Sequence, residues 1–141
     1  MRRVASKVQG GTPNIAGIIG LGAAIAALHD IGLDAVAARE QALGSYALER
    51  LQAVPGLRVL GSAAVRAPVF SFTLDGAHAS DVAMLLDQYG VAIRSGQHCA
   101  HPLMHRMRAP ASARISLAFY NTFEEIDQFF LHLEKVRAML G

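Results

Sequence analysis

The stretch from Ile15 to Leu28 constrains the fold most, because every residue in it is apolar or glycine. A helix that is apolar on all its faces is stable in water only when other structure covers it. The preceding Thr12-Pro13 pair is typical of a helix start, with threonine as the N-cap and proline in the first turn. We therefore predict a helix from Pro13 to about His29 that is covered by another domain or a second chain.

The same stretch follows Arg2, Arg3 and Lys7, so the N-terminus has the outline of a signal peptide. Residues 10–14 separate these charges from the apolar run, which favours a helix start over a cleaved leader. Fourteen residues are also too few to cross a bilayer as a helix. The single cysteine excludes an internal disulfide and favours a reducing compartment. We expect a cytoplasmic protein with no membrane partner.

The size and charge of the chain limit the remaining function classes. A chain of 141 residues suits one domain, which we place at residues 11–141 after an unmatched leader at 1–10. The formal net charge of +2 is too small and too scattered for nucleic-acid binding. Hydrophobic residues make up 52% of the chain and charged residues 17%, which indicates an apolar surface that meets another chain or domain.

The order of the elements after the first helix indicates the fold class. The patterns predict helices over 33–53, 80–88 and 123–140, strands over 57–60, 69–74, 91–93 and 114–119, and one helical turn over 102–107. Thr122 and Glu125 have the spacing of a capping box at the start of the last helix. Because the helices and strands do not alternate as βαβ units, we predict an α+β fold.

Val91 to Pro102 contains Cys99, the only cysteine of the chain, between two histidines. A strand that ends at Arg94 and continues into a loop at Ser95-Gly96 would place the thiol beside cationic groups. Positive neighbours favour a thiolate, which is the reactive form of cysteine. A single cysteine is also common as a buried packing residue, so the local residues alone leave both interpretations open.

Other side chains near Cys99 invite two further hypotheses. Arg94 and Arg114 lie at strand ends, and two guanidinium groups there would suit a carboxylate, although each alone also fits a surface arginine. His98, Cys99, His101 and His105 suggest a metal. However, Pro102 interrupts the pattern, and no further ligand falls at a zinc spacing. We predict no metal site.

Four motifs, in order, carry a resemblance to a known family. They are Gly11-Thr-Pro-Asn-Ile-Ala-Gly17, Arg94-Ser-Gly-Gln-His-Cys-Ala100, Pro102-Leu-Met104 and Arg114-x-Ser-x-Ala-x-Tyr-Asn-Thr122. Together they resemble the C-terminal part of the group II cysteine desulfurases (SufS/CsdA type), also called selenocysteine lyases, of the class V aminotransferase superfamily. The resemblance implies the small C-terminal domain of a fold-type I enzyme, with a short, mainly antiparallel sheet and helices packed on it.

The resemblance also implies an activity and site residues. Family members use pyridoxal phosphate (PLP) to take sulfur from L-cysteine or selenium from selenocysteine. By resemblance, Cys99 is the nucleophile that carries the persulfide, and His98 in the same loop assists proton movement. Arg114 is implied to hold the substrate carboxylate, and Arg94 to be a second substrate-binding arginine of the active site. Gly11 and Thr12 resemble the segment that contacts the cofactor phosphate across a homodimer, and a helix start suits such an anion.

The lysines limit what this chain is expected to do. Lys7 lies in the unmatched leader and Lys135 in the last helix, so neither is assigned as the Schiff-base lysine of PLP. We expect the C-terminal part of a cysteine desulfurase that is inactive alone, with the large domain or a homodimer partner missing. The persulfide would go to a sulfur-acceptor protein for Fe–S cluster assembly or related sulfur metabolism. The alternatives are a non-enzymatic persulfide carrier or a nonfunctional remnant.

Overall fold

The computed structural model of the chain describes residues 11–141, so the predicted leader with Lys7 lies outside the described residues. The chain divides into two compact units, Met1–Val36 and Ala37–Gly141, and each is described by itself. The prediction of one domain over 11–141 stays a prediction. In the first unit, helix α1 spans Ile15–Ile31.

The N-cap of α1 is Asn14, whose side chain accepts a hydrogen bond from the Gly17 N–H at 3.0 Å. The predicted cap at Thr12-Pro13 is therefore wrong by two residues. The physical reason is that the Asn14 side-chain oxygen reaches a free N–H of the first turn, and asparagine is among the preferred N-caps.

No residue of α1 is buried, although the helix is apolar along its length. Its exposed large side chains are Ile15, Ile18, Ile19, Leu21, Ile25 and Ile31. The predicted cover for this helix stays a prediction. Among residues 11–141 no single helix has the length and apolar character to cross a membrane, and α1 with the next helix meets that criterion only as a bent pair.

The second unit contains a four-stranded sheet and most of the helices. Helix α2 (Leu33–Ala53) enters this unit at Ala37 and is followed by β1 (Leu57–Val59), β2 (Val69–Leu74), α3 (Ala79–Asp87), β3 (Arg94–Gly96), α4 (His101–Arg106), β4 (Ser112–Ser116) and α5 (Phe123–Leu140). The strand order is β1-β2-β4-β3, and every neighbouring pair is antiparallel. This confirms the predicted α+β fold with a short antiparallel sheet.

The core of the second unit lies between one face of the sheet and three helices. Strand β2 alternates as predicted and buries Phe70, Phe72 and Leu74. The helices α2, α3 and α5 contribute buried leucine, valine, isoleucine and phenylalanine side chains to the same cluster. The Phe72 and Phe129 rings meet edge to face, with centroids 6.4 Å apart. Gly44 permits a close approach here, because a Cβ would lie 3.2 Å from the Pro68 Cβ and Pro68 would have to shift by a few tenths of an ångström.

The start of α5 confirms the predicted capping box. The Glu125 N–H donates to the Thr122 hydroxyl, and the Thr122 N–H donates to the Glu125 carboxylate at 3.0 Å. The carboxylate also accepts a hydrogen bond from the Asn121 side chain. The hydrogen bond from the Asn121 side chain and, to a smaller extent, the one from the Thr122 N–H lower the pKa of Glu125. The cap thus directs the chain from the end of β4 into the closing helix.

Three strands differ from the prediction, and the difference at β1 is one residue, since it ends at Val59. The predicted strand over 91–93 is wrong, because β3 starts at Arg94 and includes Ser95-Gly96. The Val91 N–H donates to the Leu86 carbonyl at 3.1 Å, which ties this segment to the end of α3 instead of to the sheet. The predicted strand over 114–119 is shifted, because β4 spans Ser112–Ser116 and a turn at 118–121 follows it.

Candidate active site around Cys99

The β3–β4 pair brings the two predicted arginines together. Arg94 lies directly opposite Arg114 in the antiparallel register, and Gly96 lies opposite Ser112. Like charges directly opposite each other destabilise a strand pair, and an anion between them would remove that cost. The Arg114 Nε–H is buried and has no hydrogen-bond partner among the described residues. The pair therefore has the chemistry to bind a carboxylate.

Cys99 lies in a tight turn that follows β3 directly. The Ala100 N–H donates to the Gln97 carbonyl at 2.9 Å and closes the turn. The two central residues, His98 and Cys99, have φ angles of 55° and 57°. Residues other than glycine rarely adopt this left-handed conformation, and such strained positions concentrate at functional sites.

The thiol of Cys99 is exposed and lies beside a guanidinium group. The Arg94 Nη2 is 3.8 Å from the Cys99 Sγ, within hydrogen-bonding range for sulfur. The interpretation of Cys99 as a buried packing residue does not fit this exposure. The Arg94 guanidinium can donate a hydrogen bond to this sulfur, and an exposed thiol beside such a donor suits a nucleophile or a sulfur-binding group.

His98 is half-buried and is held by Ser112, a residue that the sequence did not single out. The His98 Nε2 lies 3.1 Å from the Ser112 carbonyl oxygen and 2.9 Å from its hydroxyl. Burial, with the nearby Arg114 and Arg94 charges, lowers the pKa of His98 against the opposing effect of the Ser112 hydrogen bond. His98 is therefore biased to the neutral form. The sequence gives no signal for Ser112, because the predicted strand starts at Arg114 and leaves this serine in a loop.

The remaining predicted residues lie apart from this turn or in the other unit. His101 and His105 lie in α4 and are exposed. Among residues 11–141 the structure brings together no three His, Cys, Asp or Glu side chains in a metal-binding arrangement. Gly11 and Thr12 are exposed and precede α1 in the first unit, so their contact with a cofactor phosphate stays a prediction.

A separate groove of about 530 Å³ lies between residues 89–93, the end of β4 and α5. Its lining includes neither Cys99 nor His98, and neither of the two opposed arginines reaches it. Because the groove contains neither the thiol nor the arginine pair, we place the candidate active site at the Cys99 turn and the β3–β4 pair.

Comparison with known proteins agrees with this arrangement. The family model for aminotransferase class-V matches residues 1–129. The chain belongs to the class-V aminotransferase family. A probable cysteine desulfurase of Xylella fastidiosa (strain Temecula1) is 52% identical over 135 residues, and a cysteine desulfurase of Klebsiella pneumoniae (strain MGH 78578) is 49% identical over the same length. These alignments cover 96% of this chain but only 32% and 33% of the relatives.

Two solved structures support the same family at the level of the fold. The S-sulfonic acid form of the cysteine desulfurase CsdA from Escherichia coli has a TM-score of 0.88 and 34% identity, over 96% of this chain and 33% of its own. The apo cysteine desulfurase from Thermococcus onnurineus has a TM-score of 0.80 and 34% identity, over 92% of this chain and 33% of its own. The predicted resemblance is confirmed. This chain spans about a third of the length of these relatives.

The family consists in general of PLP enzymes, and the described residues fit that cofactor only in part. The arginine pair suits the carboxylate of an amino acid bound to the cofactor. The strands and turn around Cys99 contain no lysine, and Lys135 lies on α5 with its Nζ 5.4 Å from the centre of the Tyr89 ring. The site residues therefore supply a thiol and anion-binding groups but no amine for a Schiff base.

Proposed function

We propose that this chain is the C-terminal part of a PLP-dependent cysteine desulfurase, with Cys99 as the residue that accepts the substrate sulfur. The observation that carries the proposal is the exposed Cys99 thiol in a strained turn, 3.8 Å from the Arg94 guanidinium. The relatives at about half identity are cysteine desulfurases, which supports the same activity for the whole protein.

Each site residue has a chemical role in this proposal. The Cys99 thiolate forms a bond to the sulfur of L-cysteine while the carbon–sulfur bond of the substrate breaks. The electron pair stays with the carbon, which takes up a proton to give L-alanine, and Cys99 is left as a persulfide. Bound PLP supplies the electron sink that makes this carbon a leaving group. Arg114 and Arg94 hold the substrate carboxylate, and neutral His98 moves a proton.

The other parts of the proposal concern groups that this chain does not bring to the turn. Gly11 and Thr12 contact the cofactor phosphate, and a homodimer partner or large domain supplies the Schiff-base lysine. A sulfur-acceptor protein then takes the persulfide sulfur for Fe–S cluster assembly or related sulfur metabolism. The reaction takes place in the cytoplasm, where Cys99 stays reduced between turnovers.

The requirement for a separate cofactor-binding part is tested with the purified chain alone. The chain is mixed with PLP and L-cysteine, and alanine is measured over time. We expect no sustained production of alanine, because no lysine lies in the turn or strands around Cys99. Sustained turnover that depends on Cys99 would show that the chain is competent by itself.

A persulfide carrier is the second candidate function, and the exposure of Cys99 favours it. A donor persulfide would pass its outer sulfur to the Cys99 thiolate, so that one sulfur–sulfur bond forms, another breaks, and the donor leaves as a thiolate. Incubation with an active cysteine desulfurase and L-cysteine, followed by intact mass, should show one added sulfur on wild type and none on Cys99→Ser. No added sulfur on the wild type would contradict sulfur acceptance in either function.

A further inference from the structure

We propose that Ser112 is a positioning residue for Cys99, which it orients through the His98 imidazole and through helix α4. The inference rests on the proposed role of Cys99 as the sulfur acceptor. Ser112 is fully buried at the start of β4, opposite Gly96 of β3, and is the only buried polar or charged residue among residues 11–141. A buried hydroxyl must find partners, and its partners here, His98 and Met104, lie before and after Cys99 in the chain.

The contacts with Ser112 determine which nitrogen of His98 carries the proton. The Ser112 carbonyl oxygen lies 3.1 Å from the His98 Nε2, and a carbonyl oxygen can only accept a hydrogen bond. The Nε2 must therefore be protonated and must donate. In the neutral ring this leaves Nδ1 as the acceptor, and that atom is buried with no partner among the described residues. The arrangement fixes both the ring orientation and its tautomer.

The Ser112 hydroxyl connects the same site to the other side of the turn. Its oxygen lies 2.9 Å from the His98 Nε2 and 4.0 Å from the Met104 Sδ on α4. The hydroxyl can donate to the sulfur while a lone pair accepts from Nε2. Since α4 begins two residues after Cys99, Ser112 contacts the chain both before and after the thiol.

This two-sided attachment explains how the turn keeps its strained geometry. Two successive residues other than glycine at positive φ persist only where the surrounding structure holds them. If the hydroxyl is removed, one of the contacts of His98 is lost together with the contact to α4. The turn can then relax, and the Cys99 Sγ moves away from the Arg94 guanidinium that donates to it.

The test measures the thiol directly on the full chain and needs no cofactor. The rate of Cys99 alkylation by iodoacetamide at about pH 7, where His98 is mainly neutral, is compared among wild type, S112A, S112T and S112V. Threonine keeps the hydroxyl, and valine has the same shape without it. We expect S112A and S112V to react about fivefold more slowly, the effect of one lost hydrogen bond, and S112T to remain near wild type. S116A, an exposed serine of the same strand, is the matched control.

A second measurement separates positioning from general stability. The His98 Nε2–H should give a protected imidazole signal in ¹⁵N NMR spectra of the wild type and S112T. In S112A only the backbone carbonyl of residue 112 still accepts from it, so the proton should exchange faster with solvent and its signal should weaken. Equal alkylation rates for folded S112T and S112V, or an S112A rate equal to wild type, would overturn the proposal. If the added methyl groups prevent S112T and S112V from folding, the alkylation rate of S112A against that of the wild type tests the proposal by itself. If the wild type accepts no sulfur from a donor persulfide but the variants show the expected alkylation rates, the proposed function is refuted and the role of Ser112 is not.

Discussion

The two units of the chain use apolar residues in opposite ways. Helix α1 is apolar along its whole length, and none of its residues is buried. In the second unit, alternating and amphipathic patterns bury their apolar faces in one core between the sheet and three helices. Hydrophobicity alone thus does not indicate which part of a chain is self-sufficient. The periodicity of the apolar residues indicates it, because an amphipathic or alternating pattern gives an element one side for the core and one side for solvent.

The largest effect should come from breaking the core of the second unit. Phe72 is fully buried against Phe129, so Phe72→Ala should lower the free energy of unfolding by about 3–5 kcal/mol. Ile19→Ala removes an apolar side chain of α1 that is 67% exposed, and we expect a change within about 0.5 kcal/mol. Urea denaturation of both variants makes the comparison. A large loss at Ile19 would mean that α1 is packed in solution.

The next effect concerns the charge beside the thiol. Arg94→Gln leaves a shorter, neutral hydrogen-bonding side chain and removes the positive charge from the Cys99 Sγ. We expect sulfur uptake from a donor persulfide to slow by about tenfold, because a charge-assisted contact is lost. Arg58→Gln, on the opposite edge strand β1, is the control and should leave the rate unchanged. Equal slowing in both variants would indicate a general charge effect instead of a local one.

A smaller effect is expected at the capping box that starts helix α5, after the end of β4. Thr122→Ala removes the acceptor for the Glu125 N–H and should cost about 1 kcal/mol of stability. Thr122→Ser keeps a hydroxyl at the same position and should retain most of that stability. Thermal unfolding followed by circular dichroism compares the two variants. If alanine and serine behave alike, the capping box does not stabilise α5 in solution.

The smallest effect is a pH dependence from His98. Its pKa in the folded chain is lowered below the ordinary 6.5, so the unfolded chain binds this proton first as the pH falls. The contribution of neutral His98 to stability is therefore complete above pH 6.5, decreases as the pH falls from 6.5 to the folded pKa, and is constant below it.

His98→Asn tests this dependence, because asparagine does not titrate and tolerates positive φ. Urea midpoints at about pH 7.5 and about pH 5 should differ less in the variant than in the wild type. An unchanged difference between the two pH values would assign the dependence to other groups.

Local patterns in the sequence predicted most of the elements but not their partners. The alternation of β2 and the Thr122–Glu125 spacing were sufficient, because each depends on residues close in the chain. The strand before Cys99 was misplaced by three residues, since the β-branched run at 91–93 is held by the Leu86 carbonyl at the end of α3. A hydrogen bond of this kind depends on tertiary position and leaves no mark in a propensity pattern.

The sequence by itself determined the α+β class, the family and the residue types available for chemistry. It also determined that one cysteine stands among cationic and imidazole side chains. Only the tertiary structure decided that Arg94 faces Arg114, that His98 and Cys99 occupy a left-handed turn, and that Ser112 holds this turn from a neighbouring strand. The physical reason is that strand register and buried hydrogen bonds join residues distant in the chain, so they are set by packing and not by local preference.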